Sequence, residues 1–161
     1  MKTIILYATK YGTAEAAARR IADKIDDEKT NAACVIHNLK QNIPSLADFD
    51  CVIIGSSVYA GMIRKEAKTF LAQNADSLLE KKLGLFLCGI AAEGEKKYFE
   101  DNFSVKLLQA AKAKCFAGGI FDPKKNNAAE RFIIKIAAKK TEYTDTIDEE
   151  KINQFAQAMK S

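Results

Sequence analysis

Apolar residues along this chain follow two rhythms. Short unbroken runs at 2–8, 34–36, 51–55, 83–89 and 114–120 predict β-strands. Between them, apolar positions recur every three or four residues, the spacing of a helix with one buried face. Ala14, Ala18, Ile21, Ala22 and Ile25 form such a stripe over 14–25, and Ala67, Phe70, Leu71, Leu78 and Leu79 form the inner side of a second helix. Phe99, Phe103 and Leu107 align on a helix over 95–112, and Ile152, Phe155, Ala156 and Met159 on one at the C-terminal end. An addition over 122–142 follows the fifth strand and carries an extra helix near 129–138. Runs such as Cys51-Val52-Ile53-Ile54-Gly55 are too continuously apolar for a half-exposed antiparallel edge. Strands alternating with helices predict an α/β fold, a parallel sheet inside a three-layer α/β/α sandwich. Ligands of such sheets lie beyond the carboxyl ends of the strands. The loops after strands one, three and four are therefore the candidates, and Gly, Ser and Thr concentrate there.

Composition narrows the picture. A length of 161 residues suits one domain over 1–161, and 48% hydrophobic with 29% charged residues excludes a collagen-like repeat, wholesale disorder and a pure coiled coil. No apolar run approaches the roughly 20 residues of a membrane span. Residues 1–7 are too short and too quickly polar for a signal peptide, so a cytoplasmic location is expected. A net charge of +4 is too mild for a dedicated nucleic-acid binder, although it permits attraction to anionic partners. Cys34, Cys51, Cys88 and Cys115 stand far apart in apolar stretches and read as small buried hydrophobes, not as a metal or dithiol site.

The first loop, Thr9-Lys10-Tyr11-Gly12-Thr13, leads from a strand into a helix. Unpaired amides at a helix start suit a phosphate, and Thr9, Thr13 and Lys10 could add hydroxyls and a charge. A plain N-cap by Thr13 explains the same residues equally well. A P-loop is excluded by the missing Gly-Lys-Ser/Thr ending, and a dinucleotide loop by the single glycine. A receiver domain would place an aspartate where Gly55-Ser56 stands. A mononucleotide remains. Ser56-Ser57-Val58-Tyr59-Ala60-Gly61 offers an aromatic on which a flat ring could stack, and Cys88-Gly89-Ile90-Ala91-Ala92 an opposite wall. Tyr59 could instead pack over a helix end, and Gly89 could be a simple turn residue.

These residues resemble the flavodoxins. Tyr7-Ala8-Thr9-Lys10-Tyr11-Gly12-Thr13-Ala14-Glu15 is similar to that family's phosphate loop, Thr/Ser-x-Thr-Gly-x-Thr, and 50–61 resembles its third strand and flavin loop. The resemblance implies strand order 2-1-3-4-5, non-covalent FMN and electron transfer. Cofactor-binding residues would be Thr9, Lys10, Tyr11, Gly12, Thr13, Ala14, Ser56, Ser57, Val58, Tyr59, Ala60, Gly61, Cys88, Gly89 and Ile90. Ala14 stands where the family's last phosphate-loop threonine is expected, and no tryptophan is present to stack on the flavin. The tail, with Gly118-Gly119-Ile120-Phe121-Asp122-Pro123, 130–136 and Thr144-Asp145, resembles menaquinone-dependent protoporphyrinogen oxidases and other flavodoxin-domain proteins. The segment 91–114 is shorter than in those oxidases.

The expected function is an FMN-binding carrier that passes electrons between partner proteins or small acceptors. Flavodoxin carriers are acidic and this chain is basic, so a less negative reduced-state potential is expected. A first alternative is a protoporphyrinogen- or quinone-type oxidoreductase at a membrane surface. On a helix over 131–140, Phe132, Ile133, Ile136 and Ala137 share one side and Arg131, Lys135 and Lys139 another, with Lys140 following. The same stripe would equally pack on the domain. A second alternative is a non-redox interaction module. His37, the single histidine, closes strand two on the side remote from the flavin loops and is read as incidental. Asp26-Asp27-Glu28-Lys29 is read as a solvated helix end. No catalytic triad, paired-carboxylate site or metal cluster is expected.

Overall fold

The computed structural model describes residues 1–26, 33–91 and 93–161. Asp27, Glu28 and Lys29 of the expected helix end, and Ala92 of the expected third loop, lie outside the described residues. Strand β1 (Lys2–Ala8) runs through the middle of a parallel sheet, between β2 (Ala33–Asn38) and β3 (Cys51–Tyr59). Beyond β3 lie β5 (Lys82–Cys88) and β6 (Ala111–Phe116), with a two-residue strand β4 (Met62–Ile63) turned back on the end of β3. The order β2-β1-β3-β5-β6 is the expected 2-1-3-4-5 once the short β4 is set aside.

Alternation along the strands divides the core in two. Ile5, Tyr7, Ile53 and Phe86 point to one face, where helices α1 (Thr13–Ile25) and α6 (Glu149–Lys160) cover them. Ile4, Leu6, Val52, Ile54, Leu83, Leu85 and Leu87 point to the other, under α2 (Lys65–Leu79), α3 (Glu95–Asn102) and α4 (Val105–Ala110). Burial on both faces is why these runs show no polar alternation. The stripes expected for α1 and α6 are buried throughout. In α2 the inner side holds Ala67, Phe70, Leu71 and Leu78, whereas Leu79 is 37% exposed, since successive helical residues stand about 100° apart.

Several expected boundaries move. The helix expected over 95–112 breaks at Phe103, whose backbone is extended, and restarts with Ser104, whose Oγ accepts from the Leu107 amide at 3.3 Å. Phe99, Phe103 and Leu107 nevertheless share one core. The strand expected over 114–120 runs from Ala111 to Phe116. The chain bends at Gly118, and β7 (Ile120–Phe121) pairs antiparallel with β8 (Thr144–Asp145), outside the main sheet. Between β7 and β8 lies the extra helix, α5 (Ala128–Ala138), opened by an Asn127/Glu130 capping box.

Candidate functional site

The carboxyl ends of β1, β3 and β5 open on one cavity of about 420 Å³, within the range of small-ligand sites. Its walls include Thr9, Lys10, Tyr11, Gly12 and Thr13 after β1, then Ser57, Val58, Tyr59, Ala60 and Gly61, then Cys88, Gly89 and Ile90. Two of the expected site residues stand behind the wall. Ala14 is fully buried in the first turn of α1, so it could offer a ligand only its backbone amide. Ser56 is buried, donates to the Ser57 carbonyl at 3.0 Å and accepts from the Arg64 amide at 3.0 Å.

The N-cap expected from Thr13 is not formed. Gly12, not Thr13, occupies the N-cap of α1, in the left-handed region at φ 93°, and no side chain among the described residues caps the helix. The amides of Thr13, Ala14 and Glu15 therefore lack an intrahelical acceptor and carry the positive end of the helix dipole. The Thr13 hydroxyl is committed elsewhere, donating to the Ile120 carbonyl at 3.3 Å. Thr9 Oγ1 accepts from the Gly12 amide at 3.0 Å, which holds the loop in its turn.

The second wall is a hairpin and not an open loop. β3 continues through Tyr59 and reverses at Ala60-Gly61, both with positive φ (48° and 77°), before β4. Two-residue turns of that hand match the twist of the paired strands, and glycine at the second position suits it. The third wall is braced from behind, with the Gly89 amide donating to the Gly118 carbonyl at 3.0 Å.

Several lining residues lie outside the expected set. Arg64 follows the hairpin, and its Nε is buried without a hydrogen-bond partner among the described residues. Tyr98 comes from α3. Ile133, Ile134, Ala137 and Ala138 of α5 close part of the cavity, together with Tyr143. Glu130 reaches back to the first loop, where its carboxylate pairs with the Lys10 ammonium and accepts from the Tyr11 hydroxyl at 2.7 Å. Burial pushes the Glu130 carboxyl up, but hydrogen bonds from Lys10, Tyr11 and the Asn127 amide outweigh it and hold the pKa at about 2. Asn127-Ala128-Ala129-Glu130 is legible in sequence as a capping box. Its long-range partners are not.

The cavity fits FMN. One group of wall residues offers helix-end amides for a phosphate, and others offer Tyr59, Tyr98 and backbone edges for a flat ring. A family model described as "Flavodoxin domain" matches residues 4–148. The chain belongs to the flavodoxin-domain family. Its cofactor is accordingly FMN and its work electron transfer. Solved structures of similar fold include the oxidised Flavodoxin 1 of Bacillus cereus, 20% identical over 99% of this chain and 97% of that one, with a TM-score of 0.59. The Streptococcus pneumonia TIGR4 flavodoxin is 16% identical over 99% of this chain and 97% of that one, with a TM-score of 0.60. The rubredoxin oxygen:oxidoreductase of Desulfovibrio gigas is 17% identical over 98% of this chain at a TM-score of 0.57, and the match spans 36% of that longer protein. No match was found among curated proteins.

His37 lies in β2, paired in register with Leu6, and is not among the cavity residues. Cys51, Cys88 and Cys115 are buried and Cys34 is half-buried, all as free thiols. Burial pushes the Cys51 thiol up to about 11 and the Cys115 thiol to about 12, out of the range of a reactive thiolate. Among the described residues no group of His, Cys, Asp and Glu could hold a metal, and no helix is long and apolar enough to cross a membrane.

Proposed function

We propose that this family member carries electrons on an FMN whose phosphate rests on the start of α1 and whose ring lies between the hairpin at 57–61 and the loop at 88–90. Bound FMN supplies one- and two-electron redox chemistry, and the protein controls access and potential. The observation that carries this reading is the uncapped N-terminus of α1 opening into the same cavity as Tyr59 and Tyr98. The amides of Thr13, Ala14 and Glu15 would hold the phosphate and share its charge. The missing hydroxyl at Ala14 then costs one charge-assisted hydrogen bond, about 1.5–3 kcal/mol. Tyr59 and Tyr98 would exclude water from the ring faces, and Arg64 would supply positive charge. The absorption spectrum of the purified protein, with and without added FMN, tests this directly. Flavin bands that survive desalting support it, and their absence at saturating FMN sinks it.

A second reading concerns the outer side of α5. Phe132 and Ile136 are 63% and 64% exposed, beside Arg131, Lys135, Lys139 and Lys140. Basic helices with exposed apolar residues bind anionic bilayers at their surface. That motivates peripheral membrane contact, and with it the oxidoreductase working on a porphyrinogen or quinone. The matches described above are to flavodoxins and to an oxygen reductase, and none of them carries the narrower resemblance to protoporphyrinogen oxidases. Flotation with anionic liposomes, compared with a Phe132→Ser/Ile136→Ser variant, separates this reading from a carrier that stays in solution.

A further inference from the structure

We propose that Glu130 sets how tightly the site holds a phosphate group, by occupying the cation of the phosphate loop and placing a fixed negative charge beside it. The placement of the FMN phosphate on 9–15, proposed above, is its premise. Glu130 belongs to none of the three flavin loops. It arrives on α5, 120 residues from Lys10, and is 6% exposed. Donors converge on its carboxylate from two elements. The Lys10 ammonium and the Tyr11 hydroxyl (2.7 Å) reach it from the first loop, and Asn126 Nδ2 (3.3 Å) and the Asn127 amide (3.1 Å) from the approach to α5.

A phosphate seated on the first turn of α1 meets three charges. The helix end attracts it. Lys10 would attract it too, but that ammonium already faces Glu130, and the pair sums to nearly zero. The Glu130 carboxylate repels it. The attraction of the lysine is thus offset by the carboxylate, and the site holds FMN more weakly than its donors alone would allow. Riboflavin, which has the same ring and no phosphate, feels none of this.

Glu130→Gln isolates the charge. Glutamine serves at the same capping-box position and keeps an oxygen that can accept from Tyr11. Wild type and variant are titrated with FMN and with riboflavin at low salt, following flavin fluorescence. The expected result is a rise in the FMN-to-riboflavin affinity ratio of about five- to tenfold, the factor for one charge near 4 Å in a water-like dielectric. Lys10→Met, which leaves the carboxylate uncompensated, should lower the ratio by a similar factor, and an unchanged or higher ratio there overturns the proposal even should Glu130→Gln fail to fold. An unchanged or lower ratio in Glu130→Gln overturns the proposal. So does an equal loss of both flavins, which would mean that Glu130 only fastens α5 over the ring. A wild type that takes up neither flavin defeats the premise instead, and the two failures are thereby told apart.

Discussion

The side-chain amide of Asn102 grips the turn at Gly61 from both sides. Its nitrogen donates to the Gly61 carbonyl at 2.8 Å, and its oxygen accepts from the Ile63 amide at 2.9 Å. The same nitrogen also meets the Tyr98 carbonyl at 2.8 Å, so one residue at the end of α3 fixes the hairpin and ties it to a cavity aromatic.

Asn102→Ala should therefore weaken flavin binding more than its distance from the ring suggests. Three hydrogen bonds are lost, and the amide of buried Ile63 is left without its Asn102 acceptor, at a cost of about 1–3 kcal/mol. Thermal melting should show the lower stability. FMN titration should show a loss that exceeds the loss for Asn74→Ala, a helix asparagine away from the cavity whose side chain donates to the Phe70 carbonyl. Equal behaviour of the two variants would deny Asn102 a positioning role.

Glu130 makes stability depend on pH at the acid end. Its carboxyl pKa is lowered from 4.5 to about 2 in the folded protein, so the folded state favours the charged form. A depressed carboxyl contributes stability that is present above about pH 4.5 and is lost as pH falls toward 2. The groups around it are Lys10 and Tyr11 from the first loop and Asn126 and Asn127 from the approach to α5, with Asp122 and Lys125 on the same cavity wall. Urea unfolding at stepped pH should show wild type losing its advantage over Glu130→Gln between about pH 4.5 and 2.5. Parallel curves for the two proteins would refute the linkage.

How far these features were legible depends on whether their cause is local. The β1 run and the α1 stripe announce themselves because burial on two faces or on one stripe writes a period into the chain. The first loop was found for the same reason, since Gly12 and its neighbours are consecutive. The hairpin is not legible because Ser56 and Ser57 look like turn residues, although both pair with β5 as part of the sheet. Arg64 is not legible either, because a lone arginine ahead of a helix has no local signature of a buried Nε. A stripe that continues through it hides the break at Phe103. Phe99, Phe103 and Leu107 keep helical spacing even though the backbone between them is extended at Phe103. Glu130 could be recognised as a cap but not as the partner of Lys10, because the two meet only through the tertiary fold.

Gly119→Ala should damage the flavin site through the backbone. A Cβ at Gly119 would stand 2.7 Å from the Gly89 carbonyl carbon and 2.8 Å from its oxygen. Main chain cannot swing aside as a side-chain tip can, so the loop at 88–90 must move. The expected outcome is a lower melting temperature together with a clear loss of FMN affinity. Gly12→Ala serves as the contrast, because a Cβ there meets nothing within 4 Å and the strain comes from its φ of 93° alone. Unaltered FMN binding in Gly119→Ala would show that the third wall does not need its observed position.

Arg64 should raise the potential of the bound flavin. Its Nε is buried at the cavity without a partner among the described residues, and the chain as a whole carries +4. Reduction adds negative charge to the ring, and a nearby cation stabilises the reduced form over the oxidised one. A single charge near 4 Å in a water-like dielectric contributes about 1 kcal/mol, or roughly 40 mV per electron. The reduced-state couple of the wild type is therefore expected to be less negative than that of acidic flavodoxins. Arg64→Gln, which retains hydrogen-bonding capacity without the charge, should shift it downward by some tens of millivolts. A redox titration against reference dyes reads both values, and raising the salt concentration should shrink the difference if the guanidinium acts through solvent-screened charge. An Arg64→Gln potential equal to or above that of the wild type would remove Arg64 as its source.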